Sequence, residues 1–498
     1  MADLKRVERA APAWPAAFVD IEAGTLLHED GASSCTRETL DLARLLRAVA
    51  APGWKERRPR NVYLIGGWNA ASTPPPSWFL APAGWVCTSM VRAPLLAKYK
   101  RLADNARVTL YGSGQWWGAC DDIELCRVAH VDLKKMVRRL FDGNAVLAGT
   151  PARSGLDLLE RSLPLDREGN PYIYPPIPDD LADLIEHNIG QGRIEWLADP
   201  AVHGQAEALY SEDASWMYWS CCGRLPVWLQ THDALVDLAG NGYQPAFYRV
   251  TFRVPDGWKH VGILPTWDGR QIWPRLADGR EYEAIVNGEL IRLAREHGWP
   301  VEIRERWIFA DERTPGADPL RTWRDKLKTG REESARYGGK LAVLLRGAFR
   351  SLCINTVGAW HRGGRYELEI TPADELPAEA VNHLADEQPG SGLIAWWKPA
   401  PLAKETAQFH RPEWAAMVWL RAQARLIRAA LKLPFADIVA LRTDEIITIR
   451  PVNWPDDGKP GTFRAKGAPI YMNGQPLPTN DRQFTAMRRQ AAREAAHA

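Results

Sequence analysis

The chain has 498 residues, of which 46% are hydrophobic and 25% charged; these are ordinary globular values and exclude a largely disordered chain. The length suits about two to four domains, each able to bury a core without disulfide or metal staples. With 63 Lys and Arg against 61 Asp and Glu, the net charge is +2, so bulk charge announces neither nucleic acid nor membrane, and any such partner has to be read from local patches.

In chain order, residues 16–22 (AAFVDIE) and 61–65 (NVYLI) read as buried strands, and 37–51 and 131–141 as helices by apolar spacing, the first with Thr36 as N-cap. Strands alternating with helices suggest an α/β layer. Gly112-Ser113-Gly114 reads as a turn. Prolines crowd 72–84 and 163–180, and the second stretch is the best domain boundary. Beyond it, 206–210 and 247–254 read as strands, and 283–297 as a helix closed by Gly298 and Pro300. Residues 319–327, 334–354 and 414–433 read as helices, and 438–441 with 446–449 as a hairpin around an acidic turn. The seven cysteines (35, 87, 120, 126, 221, 222 and 353) form no CxxC pair and no zinc spacing, so a reduced, intracellular, cytoplasmic protein is expected. No secretory h-region and no apolar run of about 18 residues is present, so no membrane partner is expected.

The strongest local charge lies in 321–350. Nine basic residues (Arg321, Arg324, Lys326, Lys328, Arg331, Arg336, Lys340, Arg346 and Arg350) face three acidic ones, a local charge of +6. Such a segment either grips phosphates or forms a solvated helical face. Two aspartates stand out beyond it. Asp213 follows a short apolar run, and Asp444 lies between two β-branched strands. Read singly, each is a turn or cap residue; together in space, they would suit a divalent metal with oxygen ligands.

Order and spacing here resemble the polymerase half of the family B DNA polymerases, above all their small protein-primed branch. The family's motif A, D-x-x-S-L-Y-P, is matched by Asp213 and Tyr218, with Trp219 where the proline would stand. Motif B, K-x-x-x-N-S-x-Y-G, aligns with 350–358: Arg350 replaces Lys, Ile354 and Asn355 occupy the Asn-Ser pair, Val357 replaces Tyr, and Gly358 is kept. Motif C, Y-x-D-T-D-S, keeps Thr443 and Asp444, but Arg442 stands at the first acid. The stretches 262–274 and 287–309 are similar to the same branch, and the likeness covers roughly 193–466.

The resemblance implies a template-directed DNA polymerase of a phage or mobile element. Asp213 and Asp444 would hold two Mg2+ ions, or Mn2+, for phosphoryl transfer. Tyr218, Arg350, Lys340, Arg346 and Asn355 would bind the deoxynucleoside triphosphate, and Gly358, Arg442 and Lys466 the DNA. Arg350 in place of Lys keeps the charge but turns a point into a fork. The implied fold is an α/β ribonuclease-H-like N-domain plus an α+β palm with inserted helical fingers and a reduced thumb. The implied segments are 1–165 (exonuclease-like), 166–192 (linker), 193–260 (palm, motif A), 261–365 (fingers, motif B), 366–467 (palm, motif C) and 468–498 (thumb or tail). Implied partners are DNA template-primer, deoxynucleoside triphosphates, and a terminal protein or clamp.

In the N-terminal part, Asp20-Ile21-Glu22 matches the D-x-E of a proofreading exonuclease, with both carboxylates on one face of a strand. Asn69 lacks a following Asp, and Asp121, Asp122 and Glu124 are candidates for the last acid. Weak or absent proofreading is therefore expected. Two alternatives stand beside the polymerase: a catalytically inactive relative that binds DNA or a terminal protein, and a nuclease acting through Asp20 and Glu22.

Overall fold

The structure, a computed structural model, describes residues 16–35, 40–49, 61–65, 81–91, 96–143, 145–198, 206–234, 244–268, 270–311, 314–361, 365–378, 380, 384–387, 392–400, 409–455 and 459–497. The content is mixed α and β. Contacts divide the chain into two units: 1–172 with 322–409, and 173–321 with 410–498. The first break falls inside the second proline-rich stretch, and the next one cuts the expected fingers segment at residue 321.

The first unit opens with β1 (Ala16–Asp20), β2 (Thr25–His28) and β3 (Ser33–Cys35), an antiparallel meander. Helix α1 (Leu42–Val49) follows, its first turn tied by Asp41 Oδ1, which accepts the Arg44 N–H at 2.7 Å. The expected cap, Thr36, lies outside the described residues. β4 (Asn61–Ile65) runs parallel to β1 and is buried throughout, as its unbroken apolar run requires of a central strand. β5 (Trp85–Val91), β6 (Leu96–Arg101) and β7 (Arg107–Gly112) complete a seven-stranded sheet of order β3-β2-β1-β4-β7-β6-β5, with β7 parallel to β4. The Gly112–Gly114 stretch, expected as a plain turn, joins β7 to a short helix, α2 (Gly114–Trp117). α3 (Ile123–Leu140) starts well before the expected residue 131, because Asp122 caps it by accepting the Leu125 N–H at 2.9 Å. α4 (Pro151–Glu160) is capped by Thr150.

One face of the sheet buries Ala17, Val19, Leu26, Val62, Leu64, Val108 and Leu110 with Leu45 and Leu46 of α1. On the other, Phe18 and Tyr63 each hold their ring 5.5 Å from the His130 ring of α3. Burial pushes the His130 pKa down to about 4, from an ordinary value of 6.5. The sign follows: as pH falls below 6.5 the unfolded chain takes up a proton that the folded chain refuses until about 4. Folding should therefore lose roughly 2 kcal/mol between pH 6.5 and 5 through this group. Urea titrations at both pH values check this, and His130→Phe should flatten the slope.

The second unit begins with α5 (Asp179–Asn188), β8 (Ile194–Trp196), β9 (Ala208–Ala214) and α6 (Met217–Cys221). β10 (Leu229–Ala234), β11 (Ala246–Phe252), β14 (Tyr282–Asn287) and β15 (Val301–Phe309) form an antiparallel sheet of order β10-β15-β11-β14; β12 (Thr266–Trp267) and β13 (Gln271–Ile272) make a small hairpin. The helix expected over 283–297 is half strand: β14 pairs with β11 from Phe252↔Tyr282 to Phe247↔Asn287, and α7 (Gly288–Glu296) starts only where Asn287 caps it. Cross-strand pairing of buried Ile285 and Val286 outweighs the helical spacing read there.

The chain then returns to the first unit with α8 (Arg321–Ser334) and α9 (Gly339–Trp360); Gly338 just before α9 and Gly339, its first residue, are both at positive φ. α9 packs on α4, where a Cβ at Gly155 would lie 1.7 Å from Thr356 Oγ1, so only glycine allows the approach. By length and a mean hydropathy of 1.2, α9 would pass for a membrane span, but Leu345, Phe349, Leu352 and Trp360 are core residues. β16 (Arg365–Pro372), β17 (Leu384–Glu387) and β18 (Leu393–Ala400) form a three-stranded sheet.

The second unit closes with α10 (Pro412–Ala430), buried nearly all round. β19 (Ile438–Arg442), β20 (Glu445–Thr448), β21 (Phe463–Ala465) and β22 (Ile470–Tyr471) follow, and then α11 (Asp481–His497). The resulting sheet has the order β21-β9-β20-β19-β8, with β22 also pairing with β9.

Candidate functional site

Alternation along β9 puts Leu209, Ser211 and Asp213 on one face. Leu209 enters a core with Val439, Ala440, Ile447, Ile470, Met472 and Phe484, which fixes the register. β20 pairs antiparallel with β9 so that Glu445 lies opposite Asp213. The two-residue turn between β19 and β20 is Thr443-Asp444, with Thr443 at φ 54°, and the Asp444 carbonyl accepts the Ala214 N–H at 2.8 Å. Asp213 and Asp444, 231 positions apart in sequence, thus stand at the same end of one sheet.

Two carboxylates directly opposite each other repel, and cations resolve the conflict. Lys466 Nζ lies 3.0 Å from Asp213 Oδ1 and 3.5 Å from Glu445 Oε1. Arg442 Nη1 donates to Glu445 Oε2, and Arg488 Nη2 to Glu445 Oε1, each at 2.6 Å. Burial alone would raise the Glu445 pKa, but Lys466, Arg488 and Arg442 outweigh it and hold the carboxyl below its ordinary range. Arg442, expected at the DNA, is tied to Glu445 and, through Nε, to Asp481 Oδ1 at 2.8 Å.

The surroundings fix the backbone of this edge. Thr443 donates its N–H to the carbonyl of Arg193, whose side chain is fully buried and donates to the Gly262 carbonyl at 2.7 Å. After Asp213 the chain kinks at Trp216, φ 52°, and enters α6, which carries Tyr218 in a buried position. Arg421 of α10 donates to the carbonyls of Cys221, Gly223 and Arg224, and Arg425 to Ser220. Cys221 is a core residue, its thiol pushed up to about 11 by burial. Glu445, Arg488, Arg193, Arg421 and Arg425 were not singled out in the sequence. The spacing of Arg421 and Arg425 on one helix face was the signal available for the last two.

The remaining expected residues lie in the first unit. Lys340 and Arg346 are exposed on α9, Arg350 is half-buried, and Asn355 Nδ2 donates to its own helix at the Ser351 carbonyl, 2.8 Å away. Gly358 faces open space. Asp20 ends β1, and its Oδ1 accepts the Ala23 N–H at 2.9 Å. Glu22 lies beyond the strand in the exposed turn to β2, so the expected shared strand face is corrected: β1 stops at Asp20. Asp122 caps α3, and Glu124 is paired with Arg127. Asn69 lies outside the described residues. We therefore expect no Mg2+-dependent digestion of a single-stranded oligonucleotide, and unchanged nucleotide turnover in Asp20→Ala. Digestion that vanishes in that variant would contradict this.

A divalent metal is implied by the resemblance. Among the described residues, no group of three or more His, Cys, Asp or Glu is arranged to hold one. Asp213 and Asp444 are the oxygen donors that the sequence resemblance names, and Lys466 Nζ stands beside Asp213 and Glu445.

No protein-family model and no curated protein matches the sequence. Solved structures do match. Phi29 DNA polymerase complexed with single-stranded DNA aligns with TM-score 0.55 at 12% identity, over 88% of this chain and 80% of that one. Its orthorhombic crystal form aligns with TM-score 0.56 at 11% identity, over 90% and 84%. Its ternary complex with primer-template DNA and incoming nucleotide substrates aligns with TM-score 0.54 at 11% identity, over 88% and 81%. The chain shares the fold of that polymerase.

Proposed function

We propose that this protein is a divergent, template-directed DNA polymerase of the protein-primed family B type, from a phage or mobile element. The observation that carries the reading is the pairing of β9 with the β19–β20 hairpin, which brings Asp213 and Asp444 to one sheet end. The strand order of the first sheet, a three-strand meander followed by two parallel strands, supports a ribonuclease-H-like N-domain. Asp213 and Asp444 would hold Mg2+ or Mn2+, which when bound supplies Lewis-acid stabilisation of the charge developing in phosphoryl transfer. Tyr218, fixed on α6, would limit room at the sugar and favour deoxynucleotides. The cationic face of α9, with Lys340, Arg346 and Arg350, would bind phosphate, the guanidinium forks by paired hydrogen bonds.

A second reading, a DNA-binding protein without catalysis, is favoured by one observation: Arg442 stands at an acid position and is bonded to Glu445 and Asp481. Incorporation of deoxynucleotides opposite a template by the purified chain supports the first reading. Primer-template binding without incorporation supports the second.

A further inference from the structure

α10 is buried at every position except three: Arg421, Arg425 and Arg428. Spacings of four and three put these on one line of the helix. The closing turn, in which Lys432 donates its N–H to the Ala429 carbonyl, carries the line on to Lys432. A largely apolar helix thus shows a single row of cations. The row works against helix stability: like charges four apart repel, and the helix dipole favours cations only in the last turn, which Arg425 precedes.

Arg421 is satisfied, with Glu289 Oε1 3.6 Å from its Nε and carbonyls at its other nitrogens. Arg425 bonds to the hydroxyl and carbonyl of Ser220, neutral groups that leave its charge unbalanced. Arg428 and Lys432 are exposed, and among the described residues neither has an ion pair. The row begins beside the Asp213 stretch. Ser220 belongs to α6, and Gly461, where a Cβ would lie 2.7 Å from Arg425 Nη1, donates its N–H to the carbonyl of Ser215, two residues past Asp213. From Arg425 to Lys432 the helix rises about 10 Å, the length of about three nucleotides along one strand. We propose that Arg425, Arg428 and Lys432 bind successive phosphates of a nucleic-acid strand that passes the Asp213 end of the sheet. The inference rests on the polymerase reading, which brings a strand to Asp213.

The test measures equilibrium binding of the full chain to a fluorescent primer-template over about 50–200 mM salt, where each phosphate contact adds about 0.7–0.9 to the slope of log affinity against log salt. Arg428→Gln with Lys432→Gln should lower that slope by about 1.4–1.8 and weaken binding by at least about tenfold at about 0.1 M salt. Arg428→Lys should keep the slope. Arg280→Gln, which removes an exposed cation of the same unit, should change neither quantity. Should the double variant melt early, Arg428→Gln alone should lower the slope by about 0.7–0.9. An unchanged slope in a folded double variant overturns the proposal. So does an equal loss in Arg280→Gln, which would assign the effect to overall charge, and so does a double variant that loses binding to poly-glutamate but not to DNA. The expected slope change without any nucleotide incorporation by the unaltered chain upholds the phosphate row and removes only the catalytic reading. No binding of primer-template by the unaltered chain removes both.

Discussion

Asp213→Asn is expected to lower template-directed incorporation by at least about a thousandfold, whereas Glu445→Gln should stay within about tenfold of the unaltered chain. The two acids are cross-strand partners of nearly the same chemistry, so the contrast separates roles rather than charges. Asp213 meets one ammonium, shared with Glu445. If the proposed function holds, Asp213 would supply an oxygen to a divalent cation, which when bound would contribute several kcal/mol of Lewis-acid stabilisation, the size of the loss given. Glu445 is buried under two guanidinium groups and that same ammonium, which makes it a brace for Arg442 and Arg488. Its removal should cost stability before rate. Single-turnover incorporation beside a thermal melt reads both quantities, and equal rate losses in the two variants would contradict the assignment.

Arg411→Met is expected to destabilise the second unit by about 3–5 kcal/mol, the usual cost of breaking a buried pair from one side. Arg411 and Glu413 are 4% and 1% exposed, with Nε 2.9 Å from Oε1. Arg411 Nη1 also donates to the carbonyls of Tyr174 and Pro175 at 2.9 Å, tying the proline-rich segment to α10, and the guanidinium lies 4.7 Å from the Trp414 ring centroid. Burial pushes the Glu413 pKa up to about 7, with Arg411 opposing. For an acid whose folded pKa exceeds the unfolded 4.5, the contribution to stability is greatest below 4.5 and is lost as pH rises through the folded value. Removing the opposing cation raises that pKa further, so the deficit of Arg411→Met should be larger at pH 8 than at pH 5.5. Adding Glu413→Gln should restore part of the loss. Urea titrations at the two pH values measure it, and a deficit independent of pH would place the effect in the lost carbonyl contacts alone.

Where a segment's own pattern decided its state, it was legible. β4 spans the five residues its apolar run marks, α10 stops before Pro434, and the hairpin closes around Thr443-Asp444. β14 was not legible as a strand, because Ile285 and Val286 fit a helical stripe until β11 is there to pair with them. The cap at Asp122 follows an ordinary rule, an aspartate placed immediately before an apolar-periodic run. The ion-pair cluster could not be read at all. Ser211, Asp213, Glu445, Lys466 and Arg488 meet only through strand register and the seating of α11, and neither is a property of any single segment.

The central claim is tested most directly by single-nucleotide incorporation on four primer-templates that differ only in the next templating base, each offered one deoxynucleoside triphosphate at a time with Mg2+ or Mn2+. The account predicts that only the complementary nucleotide is added on each template, and that Asp213→Asn and Asp444→Asn abolish the addition. Primer-template bound by the unaltered chain, with no nucleotide added under either ion, would contradict it.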